Sequence, residues 1–225
     1  MPTKPTATQT WENMLLYHLE VDPDRLAEAL PEPFQPSLFD GKAWLTTACF
    51  TCRSSSAVFL GRSLSLPVYE EVQVRTYLDY DGDPGLYMFS SDVSHRSVVK
   101  GARLTLKLPF YEASIERRRD TAYHVMSKRL KSDARFQAAF RPGTQRDTTT
   151  FADWAGNRSC MWKKTKNGVE KAVINPGGWD LYEAEAEVSS SGMYPFLAED
   201  AFTGRSRVQF CPERVTHFYP FQRTR

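Results

Sequence analysis

The sequence predicts a mainly β (α+β) fold, a barrel or sandwich with an inner cavity and a few short outer helices. Three observations carry this. Many stretches alternate apolar and polar residues with the period of a strand. The turns "DGDPG" at 81–85 and "KNG" at 166–168 join such stretches as hairpins. The helical patterns are short and few. With 225 residues, 41% of them hydrophobic and 25% charged, the chain can bury a core without covalent staples. No linker-like break divides it, so one domain is expected over 11–225, behind a polar, flexible tail at 1–10.

The elements follow in order. "ENMLLYHLEV", 12–21, reads as a strand. "DPDRLAEALP", 22–31, reads as a short helix: Asp22 can cap it, Pro23 suits its first position, and Leu26, Ala29 and Leu30 make one apolar face. "KAWLTTACFTC", 42–52, is a strand, and the Ser-rich 53–66 is expected to be a loop. "VYEEVQVRTYLDY", 68–80, is the clearest strand, with 86–93 as its hairpin partner. A helix over 94–103 opens at Ser94, and the strand "LTLKLPFYEASIE" follows directly. Strands are expected at 121–130, 135–141, 159–166, 169–175 and 180–190, with one or two helical turns at 147–155. An extended segment from Arg207 to Phe221 closes the chain, where Pro212 suggests an edge or a bulge.

Composition and motifs exclude several functions. The net charge of +2, from 29 basic and 27 acidic residues, gives no general attraction to nucleic acid or membranes. Basic residues cluster at 116–120 and 127–135, but few aromatics interleave with them, as single-strand binders require, so a solvated surface is expected there. No stretch approaches a membrane span and the polar N-terminus is no signal peptide, so a cytoplasmic protein with free thiols is expected. Cys49 and Cys52 in "CFTC" would point to opposite faces of a strand, and Cys160 and Cys211 stand alone, so no metal site is expected. There is no G-x-S-x-G elbow, P-loop, dinucleotide fingerprint or H-E-x-x-H helix. No cofactor is expected. The four histidines, His18, His95, His124 and His217, read as packed or surface residues, His95 being the first to test.

The best polar constellation is Glu71, Gln73, Arg75 and Tyr77, which share one face of the strand 68–80. Such a face is either a solvated outer surface or the polar wall of a cavity. "INPGGWDL", 174–181, is a Gly-rich turn in which Trp179 is either a core residue or an aromatic lid on a pocket.

The runs "WENMLLYHLEVDPDRLAEALPEPFQPSLFDGKAWLTTACF", "EEVQVRTYL", "GLYMFSSDV" and "ARLTLKLPFYEA" resemble the YqjF-like group of uncharacterised bacterial proteins, a domain of unknown function. The resemblance spans Trp11 to Phe221. The group is similar in turn to acetoacetate decarboxylase, through the helix ending in "PEP", a Tyr-x-Glu and an Arg followed by Pro. What this implies is a mixed, mostly antiparallel β-barrel with a central cavity and helices outside. Acetoacetate decarboxylases form a Schiff base through one lysine of an adjacent pair that follows a proline, the second lysine lowering the pKa of the first. Here Arg103 and Pro109 match that segment, but the lysine positions hold Phe110 and Tyr111. Tyr69 and Glu71 match the Tyr-x-Glu, and the decarboxylases' substrate-binding arginine falls near Glu12. A His-x-Pro-Trp-like segment of the group is replaced by "NPGGWDL", which keeps Trp179 alone.

Lys107 is no replacement nucleophile. In a regular strand it shares a face with Pro109 and Tyr111, about 10 Å from the lost position, unless Pro109 makes a bulge. One reading is therefore an enzyme without an amine nucleophile, running a lyase, isomerase or hydrolase step on a carbonyl compound. Arg75 would grip a carboxylate or other anion, and Glu71 or Tyr111 would carry a proton. Tyr77, Arg103, Phe110 and Trp179 would line the ligand. The other reading is a non-catalytic ligand-binding or scaffold protein on the same barrel. The partner expected in both is a small organic molecule, an anion suiting Arg75, with homo-oligomers left open.

Overall fold

β1 (Ala7–Val21) and β12 (Phe202–Phe218) frame the protein, pairing antiparallel along almost their whole length in the computed structural model. It describes residues 4–59, 61–175 and 178–224. Between the two lie α1 (Pro23–Ala29), β2 (Ala43–Phe59), β3 (Arg62–Ser65), β4 (Tyr69–Tyr80), β5 (Asp83–Val93), α2 (Arg96–Thr105), β6 (Phe110–Arg119), β7 (Tyr123–Arg129) and β8 (Arg135–Arg146). Then come α3 (Thr150–Gly156), β9 (Cys160–Thr165), β10 (Gly168–Asn175) and β11 (Tyr182–Ser191); β13 (Gln222–Arg223) ends the chain.

The strands form one sheet that closes on itself twice. Both closures arise because two strands fork. β5 runs parallel to β9 at Gly85–Tyr87 and parallel to β6 at Ser91–Val93. β12 pairs with β11 at Gln209–Phe210 and with β10 at His217–Phe218. Pro212 stands in the gap between those two partners, where its missing N–H costs no ladder bond, and opposite it Asn13 takes a left-handed φ of 52°. The first ring is β1, β2, β4, β5, β9, β10 and β12. The second shares β12, β1, β2, β4 and β5, and closes through β6, β7, β8 and β11. Close approach at the first closure demands glycine: a Cβ on Gly85 would stand 2.6 Å from Cys160 Sγ and from the Trp162 ring.

The shared strands are thus a wall buried on both faces. Its second-ring face is apolar, with Leu15, Cys49, Val72 and Val74 packed on Val125, Phe136, Phe140 and Phe210. Its first-ring face carries Met14, Leu16, Ala48, Phe50, Cys52, Met88 and Val93, packed with Phe110 of β6 and Met161 of β9. Cys49 and Cys52 do point to opposite faces, and all four cysteines are buried and free.

Three stretches differ from expectation. Residues 53–59 continue β2, and they pair with residues 7–10, which lie in the expected tail: Ala7 opposes Ala57 and Thr10 opposes Arg53. Cross-strand pairing orders two segments that have little propensity of their own. Leu104–Pro109 is not strand. α2, anchored by Val98 and Val99, runs on to Thr105, and the Leu106 N–H closes on Ala102 O. Lys107 then takes a left-handed φ of 54° and is exposed. Finally, Ser94 does not cap α2, because its hydroxyl accepts the Glu70 N–H at 2.9 Å; His95 is the cap residue, without a side-chain capping bond.

Candidate functional site

Alternation along β4 puts Tyr69, Glu71, Gln73, Arg75 and Tyr77 on the first-ring face of the wall. The face is an interior surface: Glu71 is 2% exposed and Arg75 5%. A chain of hydrogen bonds links these groups. Arg75 Nη1 donates to Gln73 Oε1 over a long 3.4 Å, Gln73 Nε2 donates to Glu71 Oε1 at 2.8 Å, and Ser91 Oγ donates to the same oxygen at 2.5 Å. Ser91 reaches this face through a bulge. The β4–β5 pairing slips between Val74 and Arg75, which sets Ser91 opposite Gln73.

Glu71 and Arg75 are electrostatically costly. Burial pushes the Glu71 carboxyl up, against the hydrogen bonds from Ser91 and Gln73. Burial pushes Arg75 down, partly offset by Tyr77 and Glu71. Arg75 Nε is buried with no partner among the described residues, and no described carboxylate lies within ion-pair distance of its guanidinium. Arg158 behaves differently: it pairs with Asp79 at 3.1 Å and lies over the Trp154 ring at 4.4 Å. Arg75 is thus a desolvated cation whose one hydrogen bond among the described residues is a long contact to an amide oxygen.

At the Tyr77 end a second network begins. Gln209 Nε2 donates to Asp147 Oδ2 at 2.5 Å, so Gln209 Oε1 faces His18 Nε2 at 3.0 Å and that nitrogen carries the proton. His18 Nδ1 is therefore an acceptor. Thr46 Oγ1 donates to the Tyr77 hydroxyl at 2.9 Å, and Tyr77 donates onward to Nδ1 at 3.0 Å. Burial lowers His18 to about 3, so it is neutral over the working range of pH. The sign of the linkage follows: an unfolded histidine takes up a proton near pH 6.5 and the native one does not. Stability is expected to fall as the pH drops from about 6.5 towards 3, by up to about 1.4 kcal/mol per unit. In urea titrations at stepped pH, His18→Asn should flatten this acid limb; an unchanged limb would contradict the assignment.

The other expected site residues scatter. Phe110 belongs to the first-ring core. Tyr111 pairs with Asp92, on the opposite face of the wall from Glu71, and packs under Arg129 (4.1 Å) and Arg103 (5.4 Å). The placement separates Tyr111 from Glu71, with which it was grouped, because successive strand residues face opposite ways. Arg103 is exposed on α2 and donates from Nε to Phe110 O at 2.5 Å, tying the helix to β6 rather than facing the interior. Trp179 packs against the first-ring core and donates from Nε1 to Gly156 O at 2.8 Å; Pro176 and Gly177 of its turn lie outside the described residues. His95 bonds Ser97 Oγ at the surface. No lysine in the chain is buried. Sequence reasoning did not single out His18, Ser91 and Gln209 as members of these networks. They come from three other strands: alternation from Leu16 and Cys211 carries His18 and Gln209 to this face, and the β4–β5 bulge carries Ser91.

A concavity of about 750 Å³ lies on the β6–β7–β8–β11 sheet with Glu116, His124 and Glu187 in its lining and contains none of the buried ladder. A smaller groove of about 350 Å³ sits at the β5 fork. Met88 and Leu108 form part of it and also belong to the first-ring core, and Lys107, Lys163 and Lys164 surround it. Met88 is the cross-strand neighbour of Arg75.

Comparison with known proteins agrees with this architecture. DUF2071, a family of uncharacterised conserved proteins, matches residues 8–214. The uncharacterised protein YqjF of Bacillus subtilis is 30% identical over 188 residues, 80% of this chain and 77% of that one. An acetoacetate decarboxylase from Legionella pneumophila superposes with a TM-score of 0.67 at 14% identity, covering 100% of this chain and 88% of the other. The enduracididine biosynthesis enzyme MppR, in complex with pyruvate, gives 0.68 at 11% identity over 99% and 91%. Likeness to these two solved structures is one of fold.

Proposed function

The chain belongs to the DUF2071 family of uncharacterised conserved proteins, and on that premise we propose that it binds a small carbonyl-bearing carboxylate inside the first ring. Arg75 carries the reading: a buried guanidinium whose Nε has no partner among the described residues and which reaches Glu71 only through Gln73. It would take the ligand's carboxylate as a charge-assisted, forked pair. Glu71, pushed up by burial and linked to Arg75 through Gln73, would hold or accept the proton on the reacting end. Entry would be at the β5 fork, where exposed Lys107 and Lys164 draw anions towards Met88.

The reaction open to such a site is a lyase-, isomerase- or hydrolase-type step without a Schiff base, since no lysine stands among the buried polar groups beside Glu71 and Arg75, and Lys163, 12% exposed in the outer groove, is ion-paired to Glu170 at 2.8 Å. Pyruvate titrated calorimetrically into the protein should bind saturably. The same mixture treated with borohydride should show no added mass, and an adduct on any lysine would overturn the amine-free reading. Exchange of the pyruvate methyl protons in deuterated water, followed by NMR, separates turnover by Glu71 from binding alone.

A further inference from the structure

The groove at the β5 fork is a gap in the sheet with braced walls. β9 pairs with β5 as far as Tyr87, and β6 begins its pairing at Ser91. The groove of about 350 Å³ occupies the interval between them, with residues 107–109 on one side and 162–164 on the other. Lys163 ties the two sides together: its Nζ donates to Leu106 O at 2.9 Å and pairs with Glu170 at 2.8 Å. Lys107 takes its left-handed φ of 54° at this point, a backbone conformation uncommon outside glycine. The turn leaves Leu108 buried and Lys107 exposed at the rim.

The floor of the groove is aromatic and apolar. Tyr87 and Phe89 meet edge to face, with centroids 5.1 Å apart and planes at 77°, and Phe196 stacks on Phe89 at 3.8 Å. Rings held in this way offer a fixed surface on which a further ring packs. The rim is cationic. Lys163 is spent on Glu170, whereas Lys107 and Lys164 are exposed and have no ion pair among the described residues. No carboxylate is in the lining. Two unpaired ammonium groups above an apolar floor match an anion with a flat, apolar body. The volume is at the small end for a ligand pocket, which suits one or two rings rather than a long chain.

We propose that the groove at the β5 fork is a binding site for an aryl carboxylate, its ring on Tyr87, Phe89 and Leu108 and its carboxylate between Lys107 and Lys164. The site stands apart from the reading of Arg75, because neither Arg75 nor Glu71 lines the groove. Its lysines face solvent, so the charged contribution is modest and weakens with salt.

The test compares benzoate with its neutral counterpart benzamide and with acetate, which lacks the ring, by ligand-observed NMR titration. The wild type should bind benzoate at least about fivefold more tightly than either. The double variant Lys107→Gln, Lys164→Gln changes only exposed side chains and should bring benzoate down to the benzamide level. Leu108→Trp, which fills the floor, should weaken benzoate and benzamide alike, and Arg75→Met should leave benzoate binding as it is. Equal binding of benzoate and benzamide, or a benzoate affinity untouched by the two lysine substitutions, would overturn the proposal. Loss of benzoate binding in Arg75→Met would overturn it too, by placing the acid inside the first ring, and would support the Arg75 reading.

Discussion

Arg75→Met is expected to bind pyruvate at least about a hundredfold more weakly than the wild type and to melt no lower. Truncating one partner of a buried charged hydrogen bond costs about 2–5 kcal/mol of affinity, and each 1.4 kcal/mol is about tenfold. Stability should move the other way. In the free protein Arg75 has one long contact to Gln73 and an unpartnered Nε, so its desolvation is poorly offset. Methionine keeps the stem, removes the charge and packs against Met88 across the strand pair. Arg158 is the control. It is equally buried but ion-paired to Asp79 and stacked on Trp154, so Arg158→Met should lower stability and leave pyruvate affinity alone. If Arg75→Met melted lower and bound pyruvate normally, Arg75 would be a structural arginine.

The largest effect on stability is expected at the closure of the second ring. Asp92, fully buried on β5, accepts Arg129 Nε from β7 at 2.6 Å, and Arg129 lies over the Tyr111 ring between them. Burial nevertheless raises the Asp92 carboxyl even with Arg129 beside it, so desolvation outweighs attraction. Asp92 Oδ2 and Arg129 Nη2 both remain without a hydrogen bond among the described residues. Asp92→Leu would strand the arginine and is expected to cost about 3–5 kcal/mol in urea unfolding. The double variant Asp92→Leu, Arg129→Met should regain most of that loss, because an apolar pair of similar volume carries no desolvation penalty. A single variant within about 1 kcal/mol of wild type would show that the pair contributes little to closure.

Most of the strands were legible because hydrophobic alternation and turn chemistry act locally. Asp22 caps α1 as its residue type suggests, accepting the Asp24 and Arg25 N–H groups at 3.0 Å each. The same local logic failed where partners decide. Residues 7–10 and 53–59 are ordered by each other, and Lys107 follows a helix that ends later than its sequence suggests. Alternation on β4 correctly grouped Glu71, Gln73, Arg75 and Tyr77 on one face. It could not tell a wet outer surface from an interior wall, because that depends on β9 and β10 closing over the face from far along the chain. Tyr111 was grouped with Glu71 by its place in a family motif, and the parity of β6 sends it the other way. Arg214 carried no local signal: it is buried on an extended segment beyond Pro212, opposite the left-handed Asn13 that breaks the alternation of β1.

The most direct test is a crystal structure of the protein soaked with pyruvate. The account predicts ligand density inside the first ring, its carboxylate within hydrogen-bonding distance of the Arg75 guanidinium and its carbonyl end towards Glu71. Density confined to the outer groove or the β6–β7–β8–β11 concavity, with Arg75 making no contact to it, would contradict the account.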